Sequence, residues 1–458
     1  MISLPATIAW FAFLITILWM FQRLTRCLTQ LNIFTLFVAF MAMRHGLTVP
    51  FDHTVNQWFA NIDVAPQAYQ RFYVSLVLTW VSLVIGVALG RLALGSGVLD
   101  PVTFRAQMRR DVLPSGMNQP VFLAVVLGAV GLVALMQLNL RINPLDLLAG
   151  RLTSEEYREM RTAFGDATHY SSGLGQRLAS IVRFGLLPTF VSILYFMSSR
   201  GRLWKVLFAV VLSLTMFIGL VSGQKAAGVF PLIGVAVSFY LRKGWLRLRP
   251  TDLRLWALVA IAVLVVFPFL YLLQYPDMTY QWALDTTRFR LTSEYNRGLQ
   301  LYFQIYPDVE AFLYGKSSGL INALRGIAIP VERLPERFIP IYYVGPGYPN
   351  TWNAAFIGTA WADFGYAGVV VQSVVVGLLL QGYARWFRRA RKTALVLGTQ
   401  VGLMLAATRL SEVALTANLL TFGLLSSFLL FWLMKSYRRP RKADEAPLFM
   451  AEDQPVHP

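Results

Sequence analysis

The sequence predicts an all-α polytopic membrane protein of about eleven transmembrane helices, with two long extracytoplasmic loops that contain short helices. Three observations predict it. Hydrophobic residues make up 56% of the 458 residues and charged ones only 14%, where a soluble domain carries about a quarter charged. The apolar residues come in runs close to the ~20 needed to cross a bilayer. Between the runs, Lys and Arg cluster in every second loop, the pattern that sets topology.

The apolar runs fall at 4–22, 31–47, 72–94, 120–138, 178–198, 206–222, 226–241, 255–273, 355–383, 393–408 and 415–434. The first is read as a retained span, because residues 1–10 carry no basic segment of the kind that precedes a cleavable signal. One alternating set of loops holds Arg23 and Arg26, then Arg105, Arg109 and Arg110, then Arg200, Arg202 and Lys205. The set continues with Arg242, Lys243, Arg247, Arg249 and Arg254, then Arg385, Arg388, Arg389, Arg391 and Lys392, and ends with Lys435, Arg438, Arg439, Arg441 and Lys442. The phase never slips. It predicts an inner-membrane protein with its N-terminus outside and its C-terminus in the cytoplasm. Residues 1–440 read as one integral membrane domain, and the charged, Pro-containing stretch 441–458 reads as a disordered cytoplasmic tail.

The net charge of +18 invites a nucleic-acid partner, but its distribution in short clusters between spans assigns it to topology instead. A single cysteine, Cys27, excludes an intramolecular disulfide and a cysteine metal site. The cytoplasmic loops are short, and the longest, about 91–119, has no room for a nucleotide-binding unit.

The working surface is therefore expected outside, where the loops at about 139–177 and 274–354 are long. The first carries RLTSEEYREMRTAFGDATHYSSG (Arg151–Gly173), with helical spacing through 153–164. Thr153 or Ser154 is placed to cap that helix, with Glu155 and Glu156 in its first turn. The second carries TTRFRLTSEYNRG from Thr286 and a Pro-rich stretch from Ile329 to Tyr348. A structureless loop of that length is improbable, which predicts short helices packed on the membrane surface.

Both outer loops are rich in arginine, against the topogenic bias: Arg158, Arg161, Arg288, Arg290, Arg297 and Arg337 among others. Arg presents a planar fork of donors that matches phosphate oxygens, so the set points to an anion site. The plainer alternative is pairing with Glu155, Glu156, Glu159, Asp285 and Glu294 on solvated helices. Lys225, in SGQKAAG, sits between two spans that leave almost no loop. A basic group at membrane level usually faces a cavity or a partner, and snorkelling to the interface is its alternative. Arg409 and Glu412 share one face at i,i+3 in a short outer turn and either pair with each other or divide the work of anion binding and proton transfer. Asp363, at the start of the ninth span, is a second candidate carboxylate, with Arg183 as a conceivable partner. His169 is the third candidate proton acceptor.

Absences narrow the chemistry. No Asp-x-Asp pair is present to hold a metal and a nucleotide sugar, and the scarcity of His and Cys makes a zinc site improbable. GKS at Gly315–Ser317 has Glu310 where a phosphate-binding loop needs its leading glycine, and it lies on the side without ATP. No metal or cofactor is expected.

This layout resembles the bacterial O-antigen (Wzy-type) polymerases, the oligosaccharide repeat unit polymerases. The resemblance spans most of the chain as architecture and rests on SGQKAAG around Lys225, TRFRLTSEYNRG around Arg288, PNTW at Pro349–Trp352, ADFGYAGVVVQSVVVGLLL from Ala362, and TRLSEVA around Arg409. It implies undecaprenyl-pyrophosphate-linked glycans as substrates, with membrane lipids, a chain-length regulator and a flippase as partners. The implied reaction moves the growing chain from its lipid carrier onto the next lipid-linked unit. On this reading Lys225, Arg288, Arg290 and Arg409 bind the donor pyrophosphate, joined by Arg297 and Arg337, while Arg158 and Arg161 hold the second substrate. Glu412 is the first candidate base, Asp363 the second and His169 the third. The rival readings are an O-antigen ligase-like transferase and a polysaccharide or lipid transporter. Few ionisable residues at mid-span and the lack of paired broken helices in the sequence pattern speak against transport.

Overall fold

The structure, a computed structural model, describes residues 4–51, 62–109, 113–138, 153, 155–156, 178, 180–221, 225–247, 265, 268–269, 271–272, 275, 277–292, 294–318, 322, 333–345, 352 and 354–435. Among them every named element is helical. In chain order these are α1 (Leu4–Thr25), α2 (Ile33–Ala42, continued by a π turn at Met43–Leu47), α3 (Pro66–Leu94), α4 (Pro101–Met108) and α5 (Gln119–Leu138). Then come α6 (Leu187–Met197, entered through a π turn at Ile181–Leu186), α7 (Arg202–Val221), α8 (Lys225–Arg242), α9 (Tyr280–Thr292) and α10 (Glu294–Ile305). The chain continues with α11 (Pro335–Val344), α12 (Ala355–Arg389), α13 (Ala394–Arg409), α14 (Leu415–Leu420) and α15 (Ser426–Met434).

Among the described residues four helical stretches are long and apolar enough to cross a membrane: Leu4–Thr25, Pro66–Leu94, Ile181–Arg200 and Ala355–Arg389. Shorter apolar helices cover Ile33–Leu47, Gln119–Val133, Phe230–Arg242 and Ala394–Arg409. Local chemistry sets their ends. Asn32 and Thr35 form a capping box at the start of α2, Asp100 and Thr393 cap α4 and α13, and Pro66 opens α3 where its missing N–H costs nothing. Thr153 and Glu156 exchange hydrogen bonds in the predicted capping arrangement; the rest of that expected helix lies outside the described residues.

Two helix pairs make the frame, α3 with α12 and α6 with α13. Each is seamed by glycines. A Cβ on Gly86 would lie 2.3 Å from the Val374 carbonyl oxygen, and one on Gly377 would lie 2.6 Å from that of Leu83. In the second pair, a Cβ on Gly398 would meet Ile193 Cα at 2.6 Å. Gly86 and Gly90, like Gly398 and Gly402, are four residues apart, the spacing that lets helix backbones approach in a membrane. Helix α10 lies against α3 and α12, and α2 and α8 against α13.

The basic loops gather at one end of the bundle. Arg91 reaches the carbonyls of Arg23 and Leu24, Gln30 pairs with Arg247, and Gly244 abuts Arg105. Arg200 donates to Leu113 O, Ala394 N to Pro114 O, and Met117 pairs with Lys435. The alternation read from the sequence thus corresponds to a spatial segregation.

Two expected spans are not plain helices. Run 415–434 is divided into α14 and α15 by residues 421–425, where Gly423 takes φ +104° and packs against Gly185. Helix α12 breaks at Phe364 (φ −143°, ψ 17°) and Gly365 (φ 59°, ψ −142°). Beyond the break a Cβ on Gly368 would lie 2.2 Å from Ala360 O, although residues eight apart in a straight helix are separated by about 12 Å. The piece 355–363 therefore folds sharply back along the chain, and all nine of its residues are buried. The sequence pattern showed no paired broken helices, and these two breaks went unread because Gly365 and Gly423 supply conformations that apolar periodicity does not register. The run at 255–273 falls mostly outside the described residues.

Candidate functional site

The site is assembled at the end of the bundle opposite the basic loops, where the π turn after α2 meets the turn after α13. The widened turn at Met43–Leu47, with His45 at φ −115°, ψ 22°, buries both Arg44 and His45; such π segments recur at functional sites. The turn after α13 contributes Arg409, Ser411 and Glu412.

Glu412 is the hub. Its Oε2 accepts from Arg409 Nη1 at 2.6 Å, its Oε1 accepts from Arg44 Nη2, and Arg44 Nη1 donates to Ser411 Oγ at 2.6 Å. The three side chains are 7%, 13% and 8% exposed for Glu412, Arg409 and Arg44. Burial pushes the Glu412 carboxyl up, but the Arg409 and Arg44 guanidiniums outweigh it and hold the group below the ordinary carboxylate range. One carboxylate against two guanidiniums leaves the triad with one positive charge in excess. Burying such a charge is costly unless something pairs with it.

Aromatic rings wall the cluster. The Arg44 guanidinium lies 4.2 Å from the centre of the Tyr295 ring and 5.1 Å from that of Phe40. Arg409 lies between Phe230, at 4.0 Å, and Phe422, at 5.5 Å, and Phe40 and Phe230 touch each other. Cations over desolvated rings gain roughly 0.5–2 kcal/mol each. Beneath this layer His45 Nδ1 meets Asn296 Oδ1 at 2.8 Å and Nε2 meets Ser411 O at 3.0 Å. Asn296 Nδ2 in turn donates to Thr48 Oγ1 at 3.0 Å. The network ties α2, α10 and the turn after α13 together at one point.

Of the residues expected from sequence, Arg409 and Glu412 are brought together, and they pair at i,i+3 while also engaging Arg44. Arg290 lies one layer out, 3.4 Å from Glu294, the residue preceding Tyr295, and 5.6 Å from the Tyr271 ring centre. Lys225 opens α8, five residues and about 7.5 Å of helix axis from Phe230, so its backbone sits at this end of the bundle. Arg288 is exposed on α9, on a different face from Arg290, and Arg337 lies in the first turn of α11. Arg297 is committed elsewhere: it donates to Ile62 O, to Tyr69 Oη at 3.1 Å and to Gln300 Oε1 at 3.3 Å, fastening residue 62 to α10. Arg158, Arg161 and His169 lie outside the described residues.

Asp363 lies at the break of α12. Its Oδ1 accepts from Gly315 N at 3.0 Å and Ser317 N at 3.1 Å, and its Oδ2 from the Ser317 hydroxyl at 2.5 Å. The GKS turn therefore does cradle an anion, but the anion is the protein's own carboxylate. These bonds, rather than Arg183, satisfy Asp363. Arg183 stands over the Phe184 ring at 4.5 Å, in the π turn before α6.

Arg44, His45 and Asn296 were not singled out in the sequence, and Tyr295 stood there only as one of many outer-loop aromatics that could stack on a sugar or anchor at the interface. Arg44 and His45 end the second apolar run on the same side as Arg409, so they display the anomaly that marked Arg409. Among the described residues no group of three His, Cys, Asp or Glu side chains is placed to hold a metal ion. Comparisons with models of protein families, with curated proteins and with solved structures found no match to this chain.

Proposed function

We propose that this chain is a metal-independent glycosyltransferase of the bacterial inner membrane, which polymerises oligosaccharide repeat units carried on undecaprenyl pyrophosphate. In this reading the chain crosses the membrane about eleven times, and the Arg44–Glu412–Arg409 cluster faces the periplasm. The observation that carries it is the excess positive charge of that buried cluster, on the side where insertion disfavours arginine. A diphosphate supplies the missing negative charge.

The chemistry follows from the charges. A hydroxyl oxygen of the acceptor unit attacks the anomeric carbon of the donor sugar. The bond from that carbon to the lipid diphosphate breaks, and the diphosphate leaves with the electron pair. Negative charge grows on the leaving group, where Arg44 and Arg409, held ready by Glu412, stabilise it without reorganisation. Arg290 extends the basic surface. The hydroxyl proton needs an acceptor. Glu412 is a weak choice, since both of its oxygens are engaged by guanidiniums. Glu336 suits the task better: it is half-buried, and burial, then the neighbouring Asp363, raises its carboxyl. Its carbonyl accepts from Trp352 N, three residues before Ala355, whose N–H binds Glu412 O.

The test is genetic. Arg44→Ala and Arg409→Ala are expected to stay in the membrane while surface glycan stops at one repeat unit. Wild-type glycan ladders from both variants would sink the proposal. A lack of any capped glycan would reassign the chain as a ligase. Transport is the second reading, favoured by the breaks in α12 and between α14 and α15; it predicts lipid-linked units accumulating on the cytoplasmic side.

A further inference from the structure

The end of the bundle away from the cluster carries a second, differently built concentration of charge. Helix α3 stops at Gly95, which takes φ +89°, and the following Ser96–Gly97 turn lies against the last turns of α12. Gly97 is pressed so close that a Cβ there would be 2.6 Å from that of Ala384. Over this turn two arginines converge. Arg385 Nη1 donates to Ser96 O at 3.2 Å, and Arg388 Nη1 donates to the same oxygen at 2.9 Å. Two guanidiniums thus clasp one carbonyl, and no ion pair among the described residues involves either of them. Arg385 Nε, shielded from solvent, meets no acceptor among the described residues.

Topogenic charge explains why arginines occupy this loop, but topology needs only their presence. It does not require both to converge on one carbonyl oxygen that lies 289 and 292 residues away in sequence. Bringing them together without a carboxylate is unfavourable unless an anion joins them. The surroundings say which anion. Immediately beside the pair, the outer face of α3 is bare and apolar: Leu92 is 84% exposed, and Leu89, Leu94 and Ile85 are nearly half exposed. On α12 that strip continues through Val371 and Val375.

We infer that Arg385 and Arg388 form a binding site for the phosphodiester headgroup of an anionic phospholipid, whose acyl chains lie along the apolar outer faces of α3 and α12. Arg forks bind phosphate oxygens in charge-assisted pairs, and basic clefts between helix ends take anionic lipid headgroups. An apolar strip directly beneath the pair distinguishes a lipid from free phosphate. The inference is independent of the proposed reaction.

The test uses the purified full-length chain and native mass spectrometry with added phosphatidylglycerol, phosphatidylcholine or inorganic phosphate. Phosphatidylglycerol is expected to stay bound preferentially. Arg385→Gln/Arg388→Gln is expected to weaken that binding about 30-fold, the equivalent of about 1 kcal/mol per arginine. Arg389→Gln, which removes a neighbouring exposed charge not bound to Ser96, is expected to retain it. Equal retention by the double variant would overturn the site, and displacement by millimolar inorganic phosphate would overturn the lipid assignment. Should the double variant not fold, wild-type protein in nanodiscs of equal phosphatidylglycerol and phosphatidylcholine gives the same decision: no enrichment of the anionic lipid refutes the inference.

Discussion

Removing the Glu412 charge tests the cluster most directly. Glu412→Gln keeps the shape of the side chain but leaves Arg44 and Arg409 facing each other, 8% and 13% exposed, with no counterion between them. Breaking a buried pair by neutralising one partner costs about 3–5 kcal/mol, and here one carboxylate serves two cations, which places the loss at the upper part of that range. The assay is thermal or denaturant unfolding of the purified protein in detergent, repeated with Arg44→Gln added. The second substitution restores the balance of one cation to no anion, so the double variant is expected to lose less than the sum of its parts. The pH dependence supplies a second reading. The folded-state carboxyl is held below its unfolded value, so its stabilisation is present above the ordinary carboxylate range, near about 4.3. That contribution fades as pH falls through the lower, folded-state value. The gap between wild type and Glu412→Gln should therefore persist at neutral pH and close in strong acid. A gap under about 0.5 kcal/mol at pH 7, the size of an ordinary surface substitution, would refute the view of Glu412 as the hub.

Three further outcomes are expected. Gly86→Ala drives a methyl into the Val374 carbonyl, 2.3 Å away, and should cost about 1–3 kcal/mol or more. Gly128→Ala, with nothing within 4 Å, should be neutral or slightly stabilising; size-exclusion profiles of the two variants check the contrast. Lys392 is buried, with Nζ donating to Phe387 O and Ala390 O, and burial pushes its ammonium down to about 8. Between that value and about 10.4, the unfolded-state value, the unfolded chain binds more protons, so this lysine makes stability rise with pH. Lys392→Met should remove that rise from the stability profile. Finally, if the proposed reaction holds, Trp352→Ala, which deletes the side chain stacked on Tyr343 beside Glu336, should shorten the glycan ladder on gels while leaving membrane insertion intact.

Much of the fold was legible because bilayer crossing imposes length and polarity constraints that survive in single residues. The runs at 4–22, 72–94 and 206–222 correspond to α1, α3 and α7, and the alternation of basic loops became one end of the bundle. What escaped were interruptions inside apolar sequence. Nothing in the composition of 415–434 announces that Gly423 adopts a positive φ to sit on Gly185, or that Phe364 and Gly365 reverse α12. At the site, Arg409 and Glu412 were visible as charges out of place. Arg44 and His45 hid at the end of an apolar run that otherwise scored as a simple span. Asn296 was invisible for a different reason, and Tyr295 was one outer-loop aromatic among many: their role comes from α10 docking on α3 and α12, and that tertiary contact has no local signature. The arginines of the second long loop separated by helix and by helix face: Arg288 and Arg290 take different faces of α9, while Arg297, on α10, is taken up in tying down residue 62.

The glycine seams carry a mechanical implication. Where α3 meets α12, and α6 meets α13, main chain touches main chain, and no layer of side chains is left to change rotamer and let one helix roll past the other. That part of the protein is a chassis. Room for a bulky ligand at Arg409 is then to be sought in α8 and the 421–425 turn, which carry the Phe230 and Phe422 rings beside the guanidinium. At Gly234 the neighbours of α8 are the side chains of Leu405, Ser192 and Val401 and not main chain, so this helix meets the chassis through groups that can change rotamer.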